Sequence, residues 1–390
     1  MPIRVSQKAE RFTESVIREM SRVCRQHGGV NLAQGFPDFP APLPMKNAAC
    51  AAIAADVNQY AVTWGAPRLR EAVARRTSAY NGIAVDPERD VTVTCGATEA
   101  MVAVMLALLD PGDEVVVFEP FYENYGPDCI LAGATPRFVR LSAPDWTFDE
   151  RELERAIGPR TRAIVVNTPH NPTGKVFSRA ELEAIAALCL RHDLVAITDE
   201  IYEYILYDGA EHLSLATLPG MAERTVTISG LSKTWSATGW RIGWSVAPPK
   251  LTGAIRKVHD FLTVGAPAPL QEAAADALAF GPEYFAGLAR DYAARRAALL
   301  ATLEACGLAA HVPRGAYYVM ANFRALSGLD DTAFALELVK DGGVATVPGS
   351  SFFCERADGR DWVRFCFAKK LETLERARVV LLERLVAAGR

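Results

Sequence analysis

The sequence predicts an α/β protein: a three-layer α/β/α domain on a mostly parallel sheet, with a smaller α+β domain beside it. Three observations carry this. Short β-branched runs alternate with helical stretches between about residues 90 and 250. The last third becomes Ala-rich and helical, then closes on short strands. The length of 390 residues exceeds one ordinary domain of roughly 100–200 residues.

Taken in chain order, residues 12–25 read as a helix followed by a Pro-rich segment. Strands are expected at 91–94, 114–118, 163–166, 195–198, 225–228 and 242–246. Between them, 98–109, 122–132 and 178–191 carry apolar residues three and four apart, the spacing of a helix face. Such alternation predicts a parallel sheet covered on both sides, with ligands in the crevice at the carboxyl ends of the strands. Helices are then expected at 271–280 and 284–304, strands at 316–321, 344–347 and 362–366, and a last helix at 371–388. The expected division is a large domain over 41–285 and a small one made of 1–40 with 286–390.

Composition excludes several classes. Lys and Arg number 42 against 46 Asp and Glu, so there is no basic excess to neutralise nucleic-acid phosphates. With 50% hydrophobic residues and mixed charge, disorder is excluded as well. The longest apolar runs fall short of the ~18–20 residues of a membrane span. The eight cysteines show no paired spacing, which predicts free, mostly buried thiols and no metal site. No leader segment is apparent, so the expected setting is the cytoplasm.

Polar residues recur at the expected strand ends. Asn167 opens Asn-Thr-Pro-His-Asn-Pro-Thr-Gly, Asp199 opens Asp-Glu-Ile-Tyr, and Lys233 closes Ser-Gly-Leu-Ser-Lys. Gly96, Ala97 and Thr98 join the first strand to a helix start. Consecutive crossovers thus bring an amide, a carboxylate, an amine and an anion-receptive helix N-terminus to one edge. The helix start suits a phosphate. A Lys of depressed pKa is a nucleophile toward carbonyls, and a buried Asp keeps a pyridine nitrogen protonated. Together they describe a site for pyridoxal 5′-phosphate, held as a Schiff base by the Lys.

The segments 167–174, 199–202 and 229–244 (Ser-Gly-Leu-Ser-Lys-Thr-Trp-Ser-Ala-Thr-Gly-Trp-Arg-Ile-Gly-Trp) resemble the class I/II aminotransferases of pyridoxal-phosphate fold type I. The likeness begins at 31–38 (Asn-Leu-Ala-Gln-Gly-Phe-Pro-Asp) and ends at 361–367 (Asp-Trp-Val-Arg-Phe-Cys-Phe), covering nearly the whole chain. It implies that Lys233 holds the cofactor and then moves the proton at the substrate's Cα. It also implies that Asp199 pairs with the ring nitrogen and that Tyr202 and Asn171 donate to the ring's 3-oxygen. Arg241, eight residues after Lys233, matches the phosphate ligand. Gly230 stands where relatives carry a hydroxyl, leaving Ser229 or Ser232 to supply it. Tyr122, or Phe121, would stack on the ring.

For the substrate, the resemblance implies that Arg364 and Asn167 bind the α-carboxylate beside Gly35. An Arg fork matches a carboxylate with two parallel hydrogen bonds. Phe36, Trp64 and Tyr125 would line an aromatic pocket, and His170 would face solvent. Tyr60 resembles a tyrosine that reaches the phosphate of a neighbouring subunit, implying a homodimer with shared sites. The likeness is strongest to the kynurenine, glutamine and methionine aminotransferase branch. The implied reaction moves an amino group from an aromatic, sulfur-containing or glutamine-like L-amino acid to a 2-oxo acid by ping-pong exchange. The alternatives are a β-lyase or an aspartate-type aminotransferase on the same scaffold, and a non-enzymatic regulator that is disfavoured by the absence of basic excess.

Overall fold

A computed structural model describes residues 3–386. Two N-terminal helices, α1 (Gln7–Glu10) and α2 (Val16–Gln26), lead into β1 (Val30–Asn31). The helices α3 (Leu43–Ala54) and α4 (Pro67–Tyr80) precede the main sheet. Its strands are β2 (Val91–Thr94), β3 (Glu114–Glu119), β4 (Thr135–Arg140), β5 (Thr161–Asn167), β6 (Val195–Asp199), β7 (Thr225–Gly230) and β8 (Gly243–Val246). Between them lie α5 (Ala97–Leu108), α6 (Tyr125–Ala132), α7 (Glu150–Ala156) and α8 (Arg179–His192). Helices α9 (Pro249–Thr263), α10 (Ala268–Leu278) and α11 (Pro282–Ala305) follow.

The sheet order is β2-β8-β7-β6-β5-β3-β4. All neighbours are parallel except β8, which runs antiparallel to both β2 and β7. Strands β2, β3, β7 and β8 are buried at every position. This is what a sheet covered on both faces requires. One face packs Val117, Ile197 and Ile228 against Met101 of α5, Cys129 of α6 and Ile255 of α9. Across the other face, Phe118 and Val166 share a core with Ile185 of α8 and with Tyr317 and Phe365 of the C-terminal region.

The C-terminal region adds β9 (Ala309–Ala310), β10 (Tyr318–Asn322), α12 (Asp331–Val339), β11 (Val344–Ala345), β12 (Val347–Pro348), α13 (Arg356–Gly359), β13 (Trp362–Cys366) and α14 (Leu371–Leu385). Its antiparallel sheet has the order β12-β13-β10-β9. The N-terminal β1 pairs in parallel with β11, and the Cys366 amide donates to the Leu32 carbonyl over 2.8 Å. Residues 30–32 are thereby fastened to the C-terminal sheets.

Several expectations need correction. β4 is a sixth parallel strand that the sequence reading did not mark. It reads Thr-Pro-Arg-Phe-Val-Arg, with proline and charge that only an edge strand tolerates. The expected strand at 344–347 is two strands in different sheets. The helix expected from 122 begins at Tyr125, and that expected from 12 begins at Val16. The last helix ends at Leu385, and the tail of its expected range, 387–388, lies outside the described residues.

One contact joins the sheet to the start of α5. A Cβ on Gly243 would lie 2.4 Å from both the Ala97 nitrogen and the Gly96 carbonyl carbon. Neither backbone atom can move aside alone. Gly243→Ala should therefore cost about 1–3 kcal/mol of stability. Thermal unfolding reads the effect, and an unchanged unfolding temperature would contradict the close approach.

Candidate active site

The register sets Asn167 of β5 beside Asp199 of β6, and Asp199 beside Ile228 of β7. Three carboxyl ends thus open into one crevice, as expected for ligands in a parallel sheet. A cavity of about 400 Å³ occupies it. Asp199 is buried on its wall. Its Oδ2 accepts from the Tyr125 hydroxyl over 2.7 Å, and its Oδ1 accepts the Ile201 amide over 3.3 Å. Burial raises the Asp199 carboxyl above its usual range, while these two bonds and the nearby Lys233 ammonium work against the rise.

Lys233 follows the end of β7 and reaches across the cavity, where its Nζ donates to the Gly35 carbonyl over 3.3 Å. The ring centroids of Tyr202 and Tyr317 lie 5.6 and 5.8 Å away. Burial lowers the amine to about 8; Asp199 opposes this, and Arg241 and Arg364 add to it. A substantial fraction of the amine is neutral near pH 8, which is the nucleophilic form.

Arg364 points inward from β13 and is 0% exposed. Its Nη1 donates to Asn171 Oδ1 over 2.9 Å and its Nη2 to the Ala33 carbonyl over 2.7 Å, while its Nε has no partner. The guanidinium carbon lies 4.3 Å from the Tyr318 ring centroid. No carboxylate of the described residues stands within ion-pair distance of it. Gly35 leaves room beside it, since a Cβ there would fall 1.8 Å from the Tyr318 hydroxyl.

At the opposite end, Gly96 caps α5 with φ 83°, a conformation that glycine adopts without strain. First-turn N–H groups of a helix have no acceptor within it, and the helix dipole favours an anion there. Arg241, itself at φ 56°, donates to the Cys95 and Thr238 carbonyls over 3.3 and 2.9 Å. A Cβ on Gly96 would meet its Nη2 at 2.3 Å. Ala97, Thr98, Ser232 and Arg241 share the cavity wall with Lys233. This donor set of helix start, hydroxyls and guanidinium fits a phosphate. The amine, the carboxylate and the Tyr202 hydroxyl fit the ring of pyridoxal phosphate.

The structure brings Gly35, Phe36, Ala97, Thr98, Tyr122, Tyr125, Asn167, Asn171, Asp199, Tyr202, Ser232, Lys233, Arg241 and Arg364 to this cavity. Several expected roles change. The Asn167 amide is committed to backbone: Nδ2 donates to the Asp199 and Pro169 carbonyls, and Oδ1 accepts the Asn171 amide. It shapes the 167–174 turn and has no amide atom left over for a carboxylate. Tyr125 spends its hydroxyl on Asp199. Trp64 is not on the wall; its ring lies 5.0 Å from the Arg256 guanidinium carbon. Tyr60, whose expected role is in a neighbouring subunit's site, lies outside this cavity and is 85% exposed.

Two open alternatives are narrowed and one further expectation is corrected. Ser229 donates to Glu203 Oε1 over 2.7 Å inside the protein, which leaves Ser232 as the hydroxyl on the wall. Phe121 stacks on Phe138 at 5.0 Å, so Tyr122 is the ring that faces the cavity. His170 is buried, not solvent-facing; its Nδ1 lies 2.7 Å from the Thr173 hydroxyl, and burial lowers its pKa to about 3.

Sequence reasoning missed Tyr318, Lys369, Arg18 and Asp128. Tyr318 lies 3.0 Å from the Tyr202 hydroxyl, and its signal was its place on a strand that pairs with the strand of Arg364. Buried Lys369 donates to the Phe36 and Gln34 carbonyls, holding the turn that carries Gly35. Nothing local distinguishes it from a surface lysine. Arg18 and Asp128 reach the wall from α2 and α6.

Comparison with known proteins places this constellation. The profile of the family Aminotransferase class I and II matches residues 27–381, and the chain belongs to that family of pyridoxal-phosphate-dependent enzymes. It is similar to a probable N-succinyldiaminopimelate aminotransferase of Mycobacterium tuberculosis, 43% identical over 94% of this chain and 95% of the relative. The methionine aminotransferase of Escherichia coli is 36% identical, with 96% of each chain covered. Human kynurenine–oxoglutarate transaminase 1 is 37% identical over 92% of each. The solved N-succinyldiaminopimelate aminotransferase structure from M. tuberculosis superposes with a TM-score of 0.94, covering 97% of this chain and 99% of that one at 42% identity. The protein is thus a pyridoxal-phosphate-dependent aminotransferase of fold type I.

The lowered amine pKa sets a pH dependence. Below about 8 Lys233 is protonated and above it free, so capture of pyridoxal phosphate by the apoprotein should quicken about tenfold per pH unit below that value and level off above it. Stopped-flow absorbance measures the rate. A profile flat from pH 6 to 9 would contradict the assignment.

Proposed function

We propose that this aminotransferase takes aromatic, sulfur-containing or glutamine-like L-amino acids as donors, with a 2-oxo acid as acceptor. The observation that carries the reading is the convergence of Lys233, Asp199 and the unpaired, buried Arg364 on one cavity. Phe36, Tyr122, Tyr318 and Ile17 give the wall its apolar and aromatic character, and the curated relatives named for methionine and kynurenine are consistent with it. A β-lyase outcome is not favoured by any relative.

When bound, the cofactor supplies the electron sink for charge that develops at the substrate's Cα. The chain does the rest. Arg364 fixes the α-carboxylate with its fork, held in place by Asn171 and Ala33. Lys233 would be the base that holds and moves the proton at the substrate's Cα. Asp199 would pair with the ring nitrogen. The Tyr202 hydroxyl and the Asn171 amide group would donate to the ring oxygen, and Tyr122 would stack on the ring. Gly96, Ala97, Thr98, Ser232 and Arg241 would hold the phosphate.

Arg364→Ala should weaken both amino acid and oxo acid binding by about 2 kcal/mol or more, the scale of a lost charge-assisted pair. Steady-state kinetics with a panel of donors reads this, and unchanged KM values for both partners would remove Arg364 from that role. If no member of the panel is transaminated, the substrate class is wrong.

We also infer a large domain over 41–285 that carries the cofactor, and a small one made of 1–40 with 286–390. The pairing of β1 with β11 supports this division. A homodimer with shared sites completes the reading. Tyr60, Val62, Phe261, Leu262 and Val264 leave apolar surface exposed around the segment that Thr63 and His259 join, and clustered exposed apolar residues are what an interaction surface presents. Eight free cysteines suit the cytoplasm. If Tyr60 serves the neighbour's site, mixing inactive Lys233→Ala with inactive Tyr60→Ala and exchanging subunits should restore up to about a quarter of the activity per site. No recovery after verified exchange would contradict shared sites.

A further inference from the structure

Arg18, Glu123 and Asp128 are charged groups on the cavity wall with no part in the site as described, and of these Asp128 alone is buried. Asp128 sits on α6 one helical turn after Tyr125, and residues three apart share a helix face. It lines the same cavity and is 5% exposed. Its Oδ2 has no hydrogen-bond partner. A buried carboxyl without partners costs stability and calls for a physical reason.

We propose that Asp128, one turn along the helix from Tyr125, is a positioning residue for the Tyr125–Asp199 pair at the end of the site that receives the ring nitrogen. This rests on the assignment of Asp199 to that nitrogen.

Tyr125 donates to Asp199 Oδ2 over 2.7 Å, so its hydroxyl oxygen keeps a free lone pair. Asp128 is the carboxyl nearest along the helix, and both Asp199 and Asp128 act on the Tyr125 hydroxyl. On its own helix Asp128 neighbours Tyr125 and Cys129, and the preceding turn carries Tyr122 and Glu123. The cavity-facing residues of α5 are Ala97, Thr98 and Met101, which carry no charge. Glu123, Arg18 of α2, Asp199, Lys233, Arg241 and Arg364 are the other charged groups on the wall. Burial alone pushes Asp128 up to about 7, with no cation near enough to offset it.

The sign follows. Below that pH Asp128 is neutral and adds nothing. Above it the ionised carboxyl adds a negative charge that acts on the Tyr125 hydroxyl and, through it, favours the protonated forms of the bound cofactor. A bystander carboxyl would cost stability and leave the cofactor untouched.

The test is a pH titration of the bound cofactor's visible absorbance in holoenzyme, with no substrate added. Asp128→Asn keeps the shape and removes the charge, and should lower the titration midpoint by about half a unit or more. Asp128→Leu should do the same while unfolding at an equal or higher temperature, because it replaces an orphan polar group with an apolar one. Asp199→Asn serves as the control. If Asp199→Asn alters the titration and both Asp128 variants leave it at the wild-type midpoint, the proposal is overturned and the Asp199 assignment stands. If Asp199→Asn leaves the titration unchanged, both fall.

Discussion

A fully buried guanidinium without a counter-ion is the constraint on which the site depends. Removing a cation from water costs several kcal/mol unless it finds matching acceptors. Arg364 has two, the Asn171 side-chain oxygen and the Ala33 carbonyl. One comes from the turn after β5 of the main sheet. The other comes from the N-terminal segment tied to the C-terminal sheets. The guanidinium therefore holds three separate parts of the chain in register, and its charge is left to be balanced by a carboxylate that enters the cavity.

The remaining charges follow the same logic of graded burial. Burial raises the Asp199 carboxyl, and a tyrosine hydroxyl, a backbone amide and a nearby amine oppose the rise. Lys233 is made less basic by being taken out of water between two tyrosine rings, and its pull from Asp199 keeps the shift moderate. The phosphate end has no buried carboxylate among the wall residues named for it, only helix N–H groups, hydroxyls and Arg241. Negative charge is thus favoured at both ends of the cavity, and a proton-exchanging amine stands between them. That is the arrangement a transamination requires, because the carboxylate and the phosphate fix the two partners while a single base works on the carbon between them.

Much of this was legible in the sequence, because the site sits at strand ends and strand ends carry short local signals. Asp199, Lys233 and Asn171 each follow a β-branched run, so alternation alone sends them to one edge. Arg364 was legible only through the family resemblance, since a lone arginine in a strand usually marks an edge. What escaped depends on contacts distant in sequence. Asn167 looks like a ligand until its amide is found bonded to the backbone 32 residues away at Asp199. Ser229 looks available until Glu203 takes its hydroxyl. β4 was hidden by its proline and its charges, and the end of β8 in the antiparallel sense cannot be told from a parallel strand by residue type. Trp64 was placed in the pocket by the family resemblance, yet its ring packs against the Arg256 guanidinium and is not on the cavity wall.

The central claim is that one lysine, Lys233, bonds to the cofactor. Borohydride reduction of the holoenzyme followed by peptide mapping tests it directly. The phosphopyridoxyl label should be found on Lys233 at close to one per chain. A label on Lys369, Lys175 or any other lysine, with Lys233 unmodified, would contradict the account.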